Sequence, residues 1–142
     1  MTGGCLCKKV RYTISGKPIS QGICYCIQCQ VTGGSFGSAM ILLAKDSFDI
    51  VSDGVSSYET TSDRGATVMR QFCNSCGCHI FSKISDMPEI VTVKAATLDN
   101  FDFFIPNYLA WTQSANHSTK LPKNIPSFPG NPSLDVVLNS SN

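Results

Sequence analysis

The sequence predicts an all-β fold, mainly antiparallel, with only short helical turns. Three observations carry this expectation. Short segments alternate apolar and polar residues, turn-forming clusters separate them at regular spacing, and only one short helical segment occurs early in the chain. Residues 10–14 (Val-Arg-Tyr-Thr-Ile) alternate as a half-buried strand does. Residues 35–44 are longer and more apolar, with the run Ala39-Met-Ile-Leu-Leu-Ala44 at the length of a buried strand. Strands follow at 48–50, 55–61, 67–72, 79–84 and 90–95. Ser52-Asp-Gly54, Asp63-Arg-Gly65, Asn74 to Gly77 and Asp86-Met-Pro88 supply the turns between them. The helical segment is 27–32, and Gly33-Gly34 ends it. From Pro106 onward Pro, Asn and Ser dominate; Leu121-Pro122, Ile125-Pro126 and Phe128-Pro129 read as an extended segment packed by its apolar residues. The expectation is one domain over 1–129 and a flexible tail over 130–142, within which Leu134-Asp-Val-Val-Leu138 has the character to dock.

Composition narrows the function classes. The chain has 142 residues, with 11 Lys+Arg against 10 Asp+Glu, so no global field favours nucleic acid or a membrane surface. No apolar run approaches the roughly 18 residues of a membrane span. Met1-Thr-Gly-Gly-Cys5 has neither a basic n-region nor an apolar h-region, which sets a cytoplasmic expectation. Eight cysteines in such a compartment stay reduced, and clustered reduced thiols read first as metal ligands.

The cysteines fall into groups. In Cys5-Leu-Cys7, residues two apart on an extended chain face the same way. Cys73-Asn-Ser-Cys76-Gly77 is a knuckle whose glycine can supply positive φ where the turn closes. Together Cys5, Cys7, Cys73 and Cys76 make a four-thiolate set, the pattern of a closed structural zinc. Cys24-Tyr-Cys26-Ile-Gln-Cys29 offers three thiolates, which leaves a fourth position open as in catalytic zinc sites. Cys78 is an alternative fourth ligand that would close this second site, and an unmetalled thiol cluster is a further alternative. Three thiolates leave a divalent metal near −1, suited to binding and exchanging an incoming thiolate rather than to making hydroxide. His79 reads as a ligand, a proton shuttle or a packing residue, and His117 as solvated. Lys8, Lys9, Arg11 and Arg70 lie near the cysteines and read mainly as a solvated face, with attraction of an anionic substrate as the alternative. Tyr25, Phe36, Phe72 and Trp111 read as core.

Gly3-Gly-Cys-Leu-Cys7 with Val10-Arg-Tyr12, then Cys24-Tyr-Cys26-Ile-Gln-Cys29, then Phe72-Cys-Asn-Ser-Cys-Gly77, resembles the glutathione-dependent formaldehyde-activating enzyme family, which includes centromere protein V. Gly33-Gly-Ser-Phe-Gly37, Phe48, Gly54, Tyr58 and Leu98-Asp99 agree with it. The resemblance implies an Mss4-like fold, a structural zinc at Cys5, Cys7, Cys73 and Cys76, and a labile catalytic zinc at Cys24, Cys26 and Cys29. It implies a carbon–sulfur lyase that joins glutathione to formaldehyde, giving S-(hydroxymethyl)glutathione, with a small-molecule thiol as partner. The surroundings depart from the family pattern. Lys8-Lys9 replace a usual Gly-Ala, Tyr25 a usual His, and Gln30 a frequent Arg; Leu109, Ala115 and Ser118 stand where a His, a basic residue and a Trp are common. The alternative reading is a non-catalytic zinc-stabilised binding module.

Overall fold

The computed structural model describes residues 1–139. Among the described residues, ten strands form two sheets. Thr2–Gly4 (β1), Arg11–Ile14 (β2) and Phe48–Ile50 (β5) make a three-stranded antiparallel sheet in the order β1-β2-β5. Ser20–Cys24 (β3), Ser38–Ala44 (β4), Val55–Thr61 (β6), Thr67–Cys73 (β7), His79–Ile84 (β8), Ile90–Lys94 (β9) and Tyr108–Ala110 (β10) make the larger sheet, ordered β10-β3-β4-β9-β8-β7-β6. Every pairing in it is antiparallel except β10 with β3. The expected all-β, mainly antiparallel class is what the chain adopts. Its helices are short: Ile27–Gly33 (α1), Leu134–Asn139 (α2) and four 3-10 turns.

Side-chain alternation gives the large sheet two different faces. Along β4, Ile41 and Leu43 point one way, while Ser38, Met40 and Leu42 point the other. Ile41 and Leu43 join Val91, Val93 and Phe81 in the main core, packed on Val10, Tyr12, Ile14 and Phe48 around the small sheet. Phe48 links the two through ring contacts with Tyr12 and Phe81, centroids 5.2 and 4.9 Å apart. The opposite face carries the register row Arg70–Ser82–Thr92–Leu42 and, beside it, Lys94–Met40–Gly22–Tyr108. Here the buried residues include Arg70, Ser82 and Thr92. A cavity lies over this face.

Gly22 is required by a close approach. A Cβ there would stand 2.3 Å from the Tyr108 ring, so only glycine lets Tyr108 cross the strand. The Pro-rich segment packs as its apolar residues suggest. Leu109 N–H donates to the Pro126 carbonyl, Phe128 N–H donates to the Leu109 carbonyl, and Phe128 packs beside the Cys24 and Tyr108 cluster. Within the expected tail, Leu134–Asn139 is helical and buries Val137 in that same cluster; residues 140–142 of that tail lie outside the described residues. Phe36, read as core from the sequence, is exposed. It follows the left-handed C-cap of α1 at Gly34, beyond the reach of either core.

Candidate metal centres and the adjoining cavity

The sulfurs of Cys5, Cys7, Cys73 and Cys76 all lie within 4.8 Å of one another. Cys5 and Cys7 come from the turn between β1 and β2; Cys73 ends β7, and Cys76 lies in the following knuckle. The Cys5–Cys7 and Cys7–Cys73 sulfurs are 3.5 and 3.7 Å apart. A disulfide needs about 2.05 Å, whereas a tetrahedral thiolate centre with bonds of about 2.3 Å sets sulfurs about 3.8 Å apart. The donor set therefore fits a tetrahedral metal ion. Backbone N–H groups point at these sulfurs: Val10 donates to Cys5 Sγ at 3.2 Å and Ser75 to Cys73 Sγ at 3.4 Å. The knuckle closes through Gly77 N–H to the Cys73 carbonyl, with Gly77 at φ 69, the positive value expected of it.

Residues outside the four-cysteine set tie its surroundings together. Lys9 Nζ donates to Asn74 Oδ1 and Ser75 Oγ, both at 3.0 Å, so one turn grips the other. Arg11 pairs with Asp99 through both guanidinium nitrogens, Nη1 to Oδ1 at 2.9 Å and Nη2 to Oδ2. With the help of Thr2, this pair holds the Asp99 carboxyl down to about 2. Lys8 has φ 64, a left-handed conformation that costs a side-chain-bearing residue energy. The family pattern of glycine at this place thus has a conformational reason.

The second group is local. Cys24 ends β3, Cys26 caps α1, and Cys29 lies one turn into it. Their sulfurs also lie within 4.8 Å of one another. Cys26 N–H points at Cys24 Sγ at 3.5 Å, and Cys29 N–H at Cys26 Sγ at 3.4 Å. Hydrogen bonds from Cys24 and Cys29 lower the pKa of Cys26, and Cys26 in turn raises that of Cys24. Three crowded thiols cannot all ionise without a cation, and three sulfurs fall one short of a tetrahedral set. Cys78 does not complete it. Its sulfur contacts the His79 carbonyl at 3.9 Å, and it packs against the main core. Among the described residues it belongs to neither cluster.

This second cluster opens into the cavity of about 300 Å³ over the large sheet. The cavity reaches residues that motif reading had not joined to it. Arg70, expected on a solvated face, is only 7% exposed and lines the cavity. Its guanidinium donates to Gln28 Oε1 at 2.7 Å and to Thr60 Oγ1, while Gln28 Nε2 donates to the Thr61 carbonyl. Lys94 also lines the cavity and donates to Ser38 Oγ; burial lowers its pKa, and the Cys29 and Cys24 thiols work against that. His79 lines it too. Its Nε2 lies 3.2 Å from the Phe81 carbonyl and 3.1 Å from Ser82 Oγ, while its buried Nδ1 has no partner. A carbonyl only accepts, so Nε2 carries the proton and Nδ1 presents a lone pair. Burial, followed by the charge of Lys94, pushes His79 down to about 4 and keeps it neutral at pH 7. Gln30 anchors α1: its Nε2 donates to the Tyr25 carbonyl at 2.6 Å and the Ser114 carbonyl at 2.9 Å.

A β protein stapled across two sheets by one cysteine set, with a second, incomplete set facing a cavity, is the class defined by this fold and site. The family model described as glutathione-dependent formaldehyde-activating enzyme matches residues 1–114, and the chain belongs to that family. A curated protein of Pyrenophora teres f. teres, named for glutathione-dependent formaldehyde activation, is 28% identical over 80 residues. That match covers 56% of this chain and 41% of the relative, so the chain spans about two fifths of that protein's length. A crystal structure of a Rhodobacter sphaeroides protein has the same fold, with a TM-score of 0.58 at 19% identity over 70% of this chain and 89% of that one. No helix among the described residues is long and apolar enough to cross a membrane.

Proposed function

We propose that this chain is a zinc-dependent carbon–sulfur lyase of the S-(hydroxymethyl)glutathione synthase type, which adds a small-molecule thiol such as glutathione to formaldehyde. The observation that carries this reading is the contrast in completeness: four sulfurs close the first set, and three sulfurs at a cavity leave the second one short. Cys5, Cys7, Cys73 and Cys76 would hold a structural zinc, and Cys24, Cys26 and Cys29 a catalytic one. Zinc bound by the three thiolates supplies a coordination position that favours the thiolate form of an incoming thiol. The chain's own residues do the rest. The cavity walls hold thiol and aldehyde together and away from bulk water, which supplies much of the modest acceleration needed. Arg70 and Lys94 keep the cavity positive, favouring an entering anion. As the sulfur–carbon bond forms, the carbonyl π pair moves to oxygen. The thiol proton passes to that oxygen, which completes the addition. The assignment of the cytoplasm as the working compartment belongs to the same proposal.

The test is zinc content per chain together with glutathione titration and adduct formation followed by NMR against the spontaneous rate. Two zincs per chain, the second perturbed by glutathione and lost in Cys26→Ser along with the rate gain, is the expected outcome. Zinc indifferent to glutathione, with no acceleration, overturns the enzyme reading in favour of a zinc-stabilised binding module.

A further inference from the structure

We propose that the cavity is a site for a small amphipathic carboxylate, whose hydrocarbon body lies on the apolar wall and whose carboxylate is held by Arg70 and Lys94. The wall is unusual in what it puts on one sheet face. Arg70, 7% exposed, meets only neutral partners, Gln28 Oε1 and Thr60 Oγ1. Lys94 meets Ser38 Oγ. Neither has an acidic partner among the described residues; the ion pairs there are Arg11–Asp99, Lys45–Glu89 and Arg64–Asp86. Asp63 also borders the cavity, but it is solvent-exposed. Burying a guanidinium without a counter-ion is costly. The thiolates offset part of that cost. With a divalent metal bound, though, three thiolates carry about one net negative charge against two cations. Arg70 has five donors, and the guanidinium fork with its unused donors suits a bidentate carboxylate.

The rest of the lining decides the body of the ligand. Met40, Leu42, Val68, Ile84, Leu134 and Val137 border the same space. Its volume of about 300 Å³ lies at the small end of ligand sites, roughly 300–1,000 Å³. Glutathione brings two carboxylates, an ammonium and two amides, which would have to leave water beside these six apolar side chains. A thiol with a hydrocarbon chain and a single carboxylate meets both the wall and the cations. Only the sulfur end of this inference rests on the thiol-handling reading above; the carboxylate seat does not.

The experiment is calorimetric titration of the zinc-loaded full chain with acetate, butyrate, hexanoate, hexanol, ω-mercaptohexanoate and glutathione. Affinity should rise about two- to fourfold for each methylene added to the alkanoate. Arg70→Gln and Lys94→Met should each weaken hexanoate about tenfold or more, with Arg70→Lys between wild type and Arg70→Gln. Hexanol should bind more weakly than hexanoate, and ω-mercaptohexanoate more tightly than glutathione. Thermal melts identify any unfolded variant, and Lys94→Met tests the seat if Arg70→Gln fails to fold. Affinity that ignores chain length, hexanoate binding unchanged in the folded variants, or a preference for glutathione overturns the proposal. In Cys26→Ser, the gain of ω-mercaptohexanoate over hexanoate should vanish while hexanoate binding persists. Hexanoate binding that follows these rules without any thiol gain in wild type would keep the carboxylate seat and overturn the thiol-handling reading.

Discussion

The two cysteine groups use the same donor atom in opposite settings. The first joins residues far apart in sequence, Cys7 and Cys73 meeting across 66 positions, and is surrounded by side-chain ties. Lys9 grips Asn74 and Ser75, Arg11 grips Asp99, and buried Cys5 and Cys73 belong to the main core. The second comes from one stretch of chain, with its sulfurs on a strand end, a helix cap and the first turn of that helix. Gln30 and Gln28 tie its helix down, but the group also borders a cavity and partly paired polar groups: Arg70, Lys94 and His79. A closed set inside a network of ties suits anchoring. An incomplete set beside a cavity that buries charge suits exchange of a ligand. The two faces of the large sheet repeat the lesson, one filled by Ile41, Leu43 and Val93, the other left open over Arg70, Thr92 and Met40.

The sharpest way to break this contrast is to remove one cysteine from each group. Cys73→Ser should lower the thermal midpoint by more than about 10 °C or abolish folding, because the site links both sheets and a structural zinc supplies folding energy directly. Cys26→Ser should leave a folded protein that has lost one metal equivalent, checked by circular dichroism and elemental analysis. Equal losses of stability in both variants would end the distinction between anchor and exchange site.

The faces can be compared next. Leu43→Ala removes a fully buried side chain from the filled face and should cost about 2–5 kcal/mol in chemical denaturation. Met40→Ala, beside an existing cavity, should cost less than about 2 kcal/mol because fewer packed neighbours are lost. Relief of the left-handed strain in Lys8→Gly should raise stability by up to about 1 kcal/mol. The smallest effect concerns Asp99. Its folded pKa is lowered from 3.8 to about 2 by Arg11 and Thr2, so its contribution is present above pH 3.8 and fades as the pH falls to 2. The midpoint difference between wild type and Asp99→Asn should therefore be positive at pH 6 and shrink toward zero between pH 4 and 2.

Much of the fold was legible because alternation and turns are local signals. Strands at 48–50, 55–61 and 79–84 have the bounds read from sequence. Thr2–Gly4, Ser20–Cys24 and Tyr108–Ala110 escaped that reading. Two of these strands carry glycine and little alternation, and they exist because of partners: β3 has Met40 on one side and Tyr108 on the other, its ring seated on Gly22. Arg70 was misplaced on the surface for a related reason. A cation in a strand looks solvated until the register sets it against Ser82 and α1 brings Gln28 to it.

The sequence by itself determined the all-β class, both cysteine sets and the glycine that closes the knuckle, since each depends on spacing within a few residues or on the chemistry of the thiol. Tertiary structure decided the rest. It excluded Cys78 from both sets, turned Lys9 into a clamp, docked Leu134–Asn139 on the cavity, and gathered Arg70, Lys94 and His79 around Cys24. These outcomes depend on strand register and on which sheet face is left unfilled. Both follow from contacts between residues distant in the chain, which no local pattern encodes.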